Sequence, residues 1–333
     1  MKIQNISIIG AGAMGAAYAS MFTDAGKFSV SFVARGERYR RLQQEVLTVN
    51  GRPLAIPVIH PDDVAGPSHL VIVALKHHHL VSALPDIKTL VGDDTIILSV
   101  MNGLESEEII GAVCGMEKMV HAIAVGIDAV REARRFQYAN RGKIFFGVLP
   151  HVNGDRRLRR LQAALNLAEI PNELSKNMAR MMWWKFMINV GINQASAVLG
   201  SPYGIFQTSS DALALMRMLM EEVIGLAQKK NIDLTLVDLD EWCKIMATLS
   251  PHGKTSMLQD VEAGRKTEVE IFAGKVVALG REVREPTPVN DTVLHIIKVL
   301  ESKIHFETER ICDNRNKLAR CTPHYSPRYA FLT

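Results

Sequence analysis

The 333-residue sequence predicts an α/β protein in which an N-terminal doubly wound parallel sheet is followed by an all-helical C-terminal part. Two observations support this fold class. Short apolar runs alternate with helix-like segments up to about Pro171, and only long stretches of helical periodicity follow it. We therefore expect a sheet domain over residues 1–172, a helical domain over 173–310 and a tail over 311–333.

The predicted strands are short runs rich in Ile, Leu and Val. They are Ile6–Ile9, Ser29–Ala34, Leu70–Leu75, Thr95–Val100, Met119–Val125 and Lys143–Val148. A helix over Ala16–Ala25 separates the first two strands. Because parallel strands need crossover connections of this kind, the alternation predicts a parallel sheet.

The predicted helices of the second part carry apolar residues every three or four positions. They are Met178–Leu199, Ala212–Lys230, Asp238–Leu249, Thr267–Arg281 and Asp291–Phe306. Thr267 and Glu270 have the spacing of a capping box at the start of one helix. The polar and basic tail from about Glu307 predicts a segment that is either loosely ordered or packed as a surface arm.

The composition narrows the class of protein. The formal net charge is +4, from 39 basic and 35 acidic side chains, without the long basic run that a nucleic-acid-binding protein needs. The first apolar run is too short for a membrane span or a signal peptide, which predicts a cytoplasmic protein. The four cysteines of the sequence lie far apart, which predicts free thiols at Cys114, Cys243, Cys312 and Cys321.

A glycine-rich turn follows the first predicted strand directly and opens the first helix. It consists of Gly10, Ala11, Gly12, Ala13, Met14 and Gly15. In this strand–turn–helix context, G-x-G-x-x-G is typical of a Rossmann domain, in which the glycines let a pyrophosphate approach the helix N-terminus. The turn therefore predicts a dinucleotide site, and a purely structural turn is the alternative.

The end of the second strand distinguishes NAD from NADP. NAD sites usually place a carboxylate there, whereas this sequence has Arg35. A guanidinium can pair with a 2′-phosphate, so Arg35 favours NADP(H). The alternative is that Arg35 is a solvated charge and Glu37 binds the ribose hydroxyls.

A largely apolar helix carries Lys185, Asn189 and Asn193, which are spaced by four and share one face. Buried lysine and amide groups are costly without partners, so this face predicts a ligand-binding cleft. The alternative is a core lysine whose ammonium reaches the surface.

Further polar residues stand where strands end. Lys76 and Asn102 follow two predicted strands, at the edge where open α/β sheets bind ligands. The adjacent run of histidines over 77–79 cannot easily converge on one ion, and we expect no metal. Ser256 lies at a predicted helix start and Glu268 in the first turn of the next predicted helix. The alternatives to a functional role are that Ser256 caps its helix and that Glu268 complements the helix dipole.

Together these motifs resemble the ketopantoate reductase family, whose members reduce 2-dehydropantoate to pantoate with NADPH during pantothenate biosynthesis. The resemblance implies that Lys185 is the general acid. It also implies substrate contacts from Asn102, Asn189, Asn193, Ser256 and Glu268. The cofactor contacts it implies are the glycine-rich turn, Arg35, Lys76 and Asn102.

Two positions depart from the family pattern. Tyr203 stands where the family often has asparagine, and Glu105 stands where it often has glycine. The substrate is therefore either 2-dehydropantoate or another small 2-keto acid. A non-catalytic NADP(H)-binding redox sensor is an alternative of another class, and the resemblance leaves a homodimer open.

Overall fold

The computed structural model describes residues 2–149 and 155–303. Its strands are β1 Asn5–Ile9, β2 Ser29–Val33, β3 Leu47–Val49, β4 Arg52–Leu54, β5 Val58–Ile59, β6 Leu70–Val73, β7 Ile96–Ser99, β8 Met119–Ile127, β9 Val130–Glu132, β10 Arg135–Gln137, β11 Arg141–Gly147 and β12 Asn172–Leu174. Its helices are α1 Ala13–Asp24, α2 Gly36–Gln44, α3 Leu80–Lys88, α4 Ser106–Cys114, α5 Arg156–Leu167, α6 Met178–Ile188, α7 Gln194–Leu199, α8 Gly204–Thr208, α9 Ser210–Lys229, α10 Leu236–Met246, α11 Ser256–Glu262, α12 Ala273–Val283 and α13 over 288–303.

The main sheet has eight strands in the order β12-β11-β8-β7-β6-β1-β2-β5. All neighbouring pairs are parallel except β11 and β8, so the predicted doubly wound parallel fold is confirmed with one antiparallel pairing, beyond which β11 and β12 both run opposite to the other strands. The direction reverses because β8 connects to β11 through the short β9–β10 ribbon rather than through a crossover helix.

A second sheet of four short strands, β4-β3-β10-β9, was not anticipated. Its strands are only three residues long and include polar residues such as Arg52 and Arg135, so they lack the apolar runs that identify a buried strand. β3 and β10 contain its buried side chains, of which Phe136 packs into the core around α1.

The sheet core and the helical core are separate groups of buried side chains. One face of the main sheet packs on α1 and α5, and the other packs on α3 and α4. The later helices enclose their own core around α9, from Phe186 to Ile297. All described elements after β12 are helical, whereas β12 itself extends the sheet to Leu174.

The helix predicted over Met178–Leu199 is continuous but not uniform. Residues Asn189–Asn193 form a π turn between α6 and α7. A π turn accommodates one extra residue in a helix and is common at functional sites.

The capping box predicted for Thr267 and Glu270 is wrong. A 3₁₀ turn, Val269–Ile271, precedes α12, which begins only at Ala273. Thr267 Oγ1 instead accepts from the Val269 N–H at 3.2 Å and donates to Glu301 Oε1 at 2.6 Å. The tail over 311–333 and two cysteines, Cys312 and Cys321, lie outside the described residues, whereas Cys114 and Cys243 are free.

Candidate active site

The carboxyl ends of three central strands meet at one edge of the main sheet. Ile9 of β1 pairs with Val73 of β6, and Val73 pairs with Ser99 of β7. The glycine-rich turn, Lys76 and Asn102 follow these strand ends, so one edge collects three of the predicted site elements. β1 lies between β6 and β2, where the strand order reverses and α/β sheets bind nucleotides.

The glycine-rich turn is shaped by close backbone contacts. Gly10 has a φ of +108°, and a Cβ there would lie 2.3 Å from the Ala74 carbonyl oxygen. A Cβ on Gly15 would lie 1.8 Å from the Gly10 carbonyl oxygen. Gly12, by contrast, faces open space: no atom of the described residues lies within 4 Å of a Cβ built on it, which leaves room for a ligand.

The first turn of α1 begins at this open glycine. Gly12 is the N-cap, and within the described part of the chain no side-chain cap accepts a hydrogen bond from the helix's first N–H groups. Free N–H groups at a helix N-terminus attract phosphate oxygens. The residues present therefore fit the pyrophosphate of a dinucleotide.

Arg35 is bound to acidic side chains. Its Nε donates to Asp86 Oδ1 at 3.0 Å, and its Nη2 donates to Asp62 Oδ1 at 2.9 Å. The hydrogen bonds that Arg35 donates to Asp86 and Asp62 raise the pKa of Arg35 above its ordinary value. Glu37, the alternative ribose ligand, is exposed and lies 3.3 Å from Arg40.

A second arginine lies against the glycine-rich turn itself. Arg38 Nη2 donates to the Ala11 carbonyl oxygen at 2.6 Å. Burial, followed by the charges of Arg41 and Arg131, lowers the pKa of Arg38 to about 10. The sequence analysis did not single out Arg38, because one arginine among several on a polar helix carries no distinguishing signal.

The polar row on α6 and the π turn is formed as the spacing predicted. Asn193 Nδ2 donates to Asn189 Oδ1 at 3.1 Å, and Ser256 Oγ donates to Asn193 Oδ1 at 3.3 Å. Asn189 Nδ2 is buried and has no partner among the described residues. A buried amide donor without a partner points to a ligand that supplies the acceptor.

Lys185 lies one turn before Asn189 on the same face. Burial lowers the pKa of Lys185 to about 8, against the opposing charges of Glu268 and Glu107. Among the described residues, no side chain accepts a hydrogen bond from its ammonium group. Lys185 is half-buried, and its ammonium forms no ion pair with a carboxylate among the described residues.

A cluster of charged groups joins the sheet edge to the helical part. Lys76 Nζ lies 2.8 Å from Asp260 Oδ2 and 3.2 Å from Glu268 Oε2, which also accepts from Asn102 Nδ2 at 3.3 Å. Burial alone lowers the pKa of Lys76, but the charges and hydrogen bonds of Glu268 and Asp260 raise it overall. Both carboxylates are nearly buried, with side-chain exposures of 6% and 4%.

The helix-end alternatives for Ser256 and Glu268 are wrong. Thr255, not Ser256, caps α11, because its side chain accepts from the Leu258 N–H at 3.2 Å. Glu268 precedes a 3₁₀ turn and accepts hydrogen bonds from Lys76 and Asn102. Asp260 was missed as a member of the cluster although it lies in the same segment, because its partner Lys76 is distant in sequence.

The two departures from the family pattern have structural explanations. Glu105 pairs with Lys275 of α12, with 2.5 Å between Oε1 and Nζ, so its carboxylate is already occupied. Tyr203 packs against the helical core, and its N–H donates to the Gly253 carbonyl oxygen at 3.0 Å. Burial raises the pKa of the Tyr203 hydroxyl.

The histidine run over 77–79 forms a 3₁₀ turn, His77–His79, in which the rings of His78 and His79 lie 4.2 Å apart. Over residues 2–149 and 155–303, no group of three or more metal-binding side chains is clustered. Within the same ranges, no helix has the length and apolar character needed to cross a bilayer.

Solved structures share this fold over nearly their whole length. The ternary structure of D-mandelate dehydrogenase with NADH and anilino(oxo)acetate superposes with a TM-score of 0.82 and 22% identity, covering 91% of this chain and 99% of that one. A dimeric ketopantoate reductase from Staphylococcus aureus gives a TM-score of 0.76 and 20% identity, covering 90% and 99%.

Sequence comparisons give the family. A 2-dehydropantoate 2-reductase from Mesorhizobium japonicum is 28% identical over 322 residues, covering 89% of this chain and 97% of the relative. The family model "Ketopantoate reductase PanE/ApbA" matches residues 6–151, and "Ketopantoate reductase PanE/ApbA C terminal" matches residues 177–301. Because these matches span most of the chain, the protein belongs to the ketopantoate reductase family of oxidoreductases.

Proposed function

We propose that this protein reduces 2-dehydropantoate to pantoate with NADPH, as a cytoplasmic step of pantothenate biosynthesis. The observation that supports it most is the row formed by Lys185 and Asn189, where an ammonium and an amide donor lack acceptors among the described residues. A 2-keto acid offers such acceptors in its carbonyl and carboxylate oxygens.

In this proposal residues 1–172 bind the cofactor and residues 173–310 supply most substrate contacts. Reduced nicotinamide, when bound, supplies the hydride. Gly12 and the free N–H groups of α1 would hold its pyrophosphate. Arg35 would bind the 2′-phosphate, for which it must leave Asp62 or Asp86.

Lys185 acts where charge develops. Hydride addition to the ketone carbon places negative charge on the carbonyl oxygen, which the Lys185 ammonium stabilises and then protonates. Because burial holds the pKa of Lys185 near 8, the group is cationic at neutral pH yet releases a proton more readily than an exposed lysine. Activity should therefore fall as the pH rises through the pKa of this group.

The remaining polar groups hold the substrate. Asn189 Nδ2 is the donor for the substrate carboxylate or hydroxyl, and Asn193 with Ser256 fixes the orientation of Asn189. Glu268 and Asn102 lie at the junction with the sheet edge, where Glu268 accepts from a substrate hydroxyl or orients Lys185. Lys76 supplies a positive charge between the two sets of groups.

Reduction of another small 2-keto acid is the second candidate. Tyr203 favours it, since an aromatic ring replaces the amide that the family often has there. The test is NADPH oxidation across a panel of 2-keto acids, with the parent protein and Tyr203→Asn compared side by side. A preference for 2-dehydropantoate in the parent supports the first proposal.

The same panel of 2-keto acids also tests whether the protein is an enzyme at all. NADPH binding without oxidation, for every keto acid tested, would identify a redox sensor instead of an enzyme. We also propose a homodimer, as found for the reductase from Staphylococcus aureus. Light scattering at the assay concentration measures that assembly.

A further inference from the structure

Gln194 is a fully buried polar residue that the proposed mechanism does not use. It begins α7, directly after the π turn that carries Asn189 and Asn193. A buried side-chain amide is costly unless its hydrogen-bonding groups have partners. Both the nitrogen and the oxygen of the Gln194 amide have such partners, so this side chain is held firmly inside the helical part of the protein.

The amide nitrogen of Gln194 holds the π turn. Nε2 donates to the Val190 carbonyl oxygen at 2.8 Å and to Asn290 Oδ1 at 3.0 Å. Val190 lies within the π turn, four residues before Gln194. A side chain that bonds a backbone carbonyl of its own helix alters the course of that helix locally. The bond from Gln194 therefore supports the wider backbone of the turn from within the core.

Packing against α9 holds the same turn at Gly191. A Cβ on Gly191 would lie 2.4 Å from Met220 Cγ and 3.2 Å from the Met216 carbonyl oxygen, so the turn approaches α9 closely. This contact and the bond from Gln194 together fix the backbone that carries the amide groups of Asn189 and Asn193.

The amide oxygen of Gln194 reaches a different helix. Oε1 accepts from the Ala273 N–H at 2.8 Å. Ala273 is the first residue of α12, where N–H groups have no acceptor within the helix itself. Glu268 lies just before this helix start, separated from it by the 3₁₀ turn Val269–Ile271. One side chain thus connects the π turn with the segment that carries Glu268.

Asn290 fixes which way the Gln194 amide points. Asn290 is fully buried, and its Nδ2 donates to the Leu219 carbonyl oxygen at 3.2 Å and to Glu222 Oε2 at 2.7 Å. Because both of these partners are acceptors, Asn290 must turn its own oxygen towards Gln194, which then presents its nitrogen. The Ala273 N–H can only donate, so it requires the Gln194 oxygen on the other side. The network is therefore satisfied in one arrangement only.

We propose that Gln194 is a positioning residue that holds the π turn and the start of α12 together, so that Asn189, Asn193 and Glu268 meet the same substrate. This inference rests on the proposed function, because that function gives these three residues their substrate contacts. Gln194 acts through them and, being buried in the helical core, touches neither substrate nor cofactor. Its effect is therefore on the fit of the 2-keto acid and not on NADPH binding.

The first experiment is Gln194→Met, which keeps the length of the side chain and removes the amide. A displacement of about 1 Å at a bound substrate can cost up to about 100-fold in rate. We expect kcat/KM for 2-dehydropantoate to fall about 10-fold, mainly through a higher KM. The affinity for NADPH should stay near that of the parent, because the glycine-rich turn lies in the sheet part of the protein. The melting temperature should also fall, since Val190 and Ala273 lose a hydrogen-bond partner.

Gln207→Met is the matched control. Gln207 is half-buried on α8, and its Nε2 donates to the carbonyl oxygens of Met246 at 3.1 Å and Leu249 at 2.9 Å. The same substitution there removes two comparable hydrogen bonds from the helical part without touching the π turn or the start of α12. Gln207→Met should lower the melting temperature and keep kcat/KM near that of the parent, when both variants are assayed well below their melting temperatures.

A double-mutant cycle distinguishes positioning from stability alone. In the Asn189→Ala background, one of the groups through which Gln194 acts is already absent. Gln194→Met should then cost about 3-fold or less in kcat/KM, because mutations that act through a shared partner are not additive. A purely structural glutamine would cost the same factor in both backgrounds.

The outcomes separate this inference from the proposed function. A kcat/KM in Gln194→Met equal to that of Gln207→Met overturns the role of Gln194 alone, and so does an equal cost in the Asn189→Ala background. If Gln194→Met fails to fold, Gln194→Asn replaces it, since the shorter amide cannot reach all three partners. An unchanged kcat/KM in Gln194→Asn then overturns the inference. A parent protein that oxidises NADPH with none of the 2-keto acids overturns the proposed function and this inference with it.

Discussion

The end of β2 and the polar face of α6 both carry a cationic residue that the sequence marked for ligand binding, yet their surroundings differ. At the end of β2, Arg35 already holds two carboxylates, Asp62 and Asp86. On α6, Lys185 has no hydrogen-bond acceptor among the described residues, and Asn189 has an unpartnered donor.

This difference shows that a charged side chain can be present without being available to a ligand. A residue type in a motif specifies the chemistry that is present, whereas its neighbours decide whether that chemistry is free to meet a ligand. The polar face of α6 can therefore bind a ligand without giving up its present hydrogen bonds. Under the proposed NADP(H) assignment, the end of β2 binds a phosphate only after Arg35 exchanges its partners.

The largest effect that tests the α6 side is loss of the ammonium. Lys185→Ala should reduce turnover by about 10²–10⁴-fold, because a positioned general acid contributes that much, while NADPH affinity stays near that of the parent. Stopped-flow reduction and cofactor titration measure the two quantities. Lys176→Ala, at an exposed lysine nearby, is the control, and full turnover in Lys185→Ala would falsify the assignment.

The next largest effect is expected from removing the unpartnered amide group of Asn189. Asn189→Ala should lower kcat/KM by about 10- to 100-fold, the worth of a hydrogen bond to a charged substrate group. The melting temperature should fall only modestly, because the substitution removes the acceptor of one hydrogen bond, from Asn193 Nδ2, whereas Asn189 Nδ2 has no partner to lose among the described residues. A marked drop in melting temperature with unchanged kcat/KM would show that Asn189 has a structural role. It would contradict the claim that the α6 face, unlike the end of β2, carries groups that are free to bind a ligand.

Substitution of Arg35 tests the other region of the comparison, the end of β2. Arg35→Ala should weaken NADPH binding by about 10- to 100-fold and NADH binding far less, since only NADPH has a 2′-phosphate to lose a charge-assisted contact. Asp86→Asn should strengthen NADPH binding by freeing the guanidinium. Calorimetric titration of both cofactors measures this, with Arg40→Ala as the exposed control. Equal affinity of the parent protein for NADH and NADPH would contradict the assignment of Arg35.

The smallest effect concerns a departure from the family pattern. Glu105→Gly restores the residue that is common in the family and removes the ion pair with Lys275. Because both side chains are partly exposed, we expect a loss of less than about 1 kcal/mol in the free energy of unfolding. The order of preference among 2-keto acids should not change, and a changed order would place Glu105 in the substrate pocket.

The strongest sequence signals were those with a repeated spacing. The strand runs and the row of Lys185, Asn189 and Asn193 were predicted because period and burial are visible in the order of residues. The four-stranded sheet was missed because its strands are too short to show a period. Lys76 with Asp260 could not be foreseen, because this contact joins residues that only the packed fold brings together.

Glu107 shows the same limit at a single position. An acid in the first turn of a helix is usual there, because it complements the helix dipole, so it attracts no attention in a sequence. Only the burial of Glu107 distinguishes it from Glu108, the next residue, which is exposed.

The π turn at Asn189–Asn193 sets the angular phase of the polar row. Four residues of an α-helix overshoot one turn by about 40°, so a row with this spacing gradually spirals away from its starting direction. The wider π turn holds more residues, so its four-residue step falls short of a turn and compensates for the drift between Lys185 and Asn189. A uniform α-helix over the same residues would carry this drift through both steps, so Asn193 would point about 80° away from the direction of Lys185. It would then leave its contact with Ser256, although every polar side chain of the row would still be present.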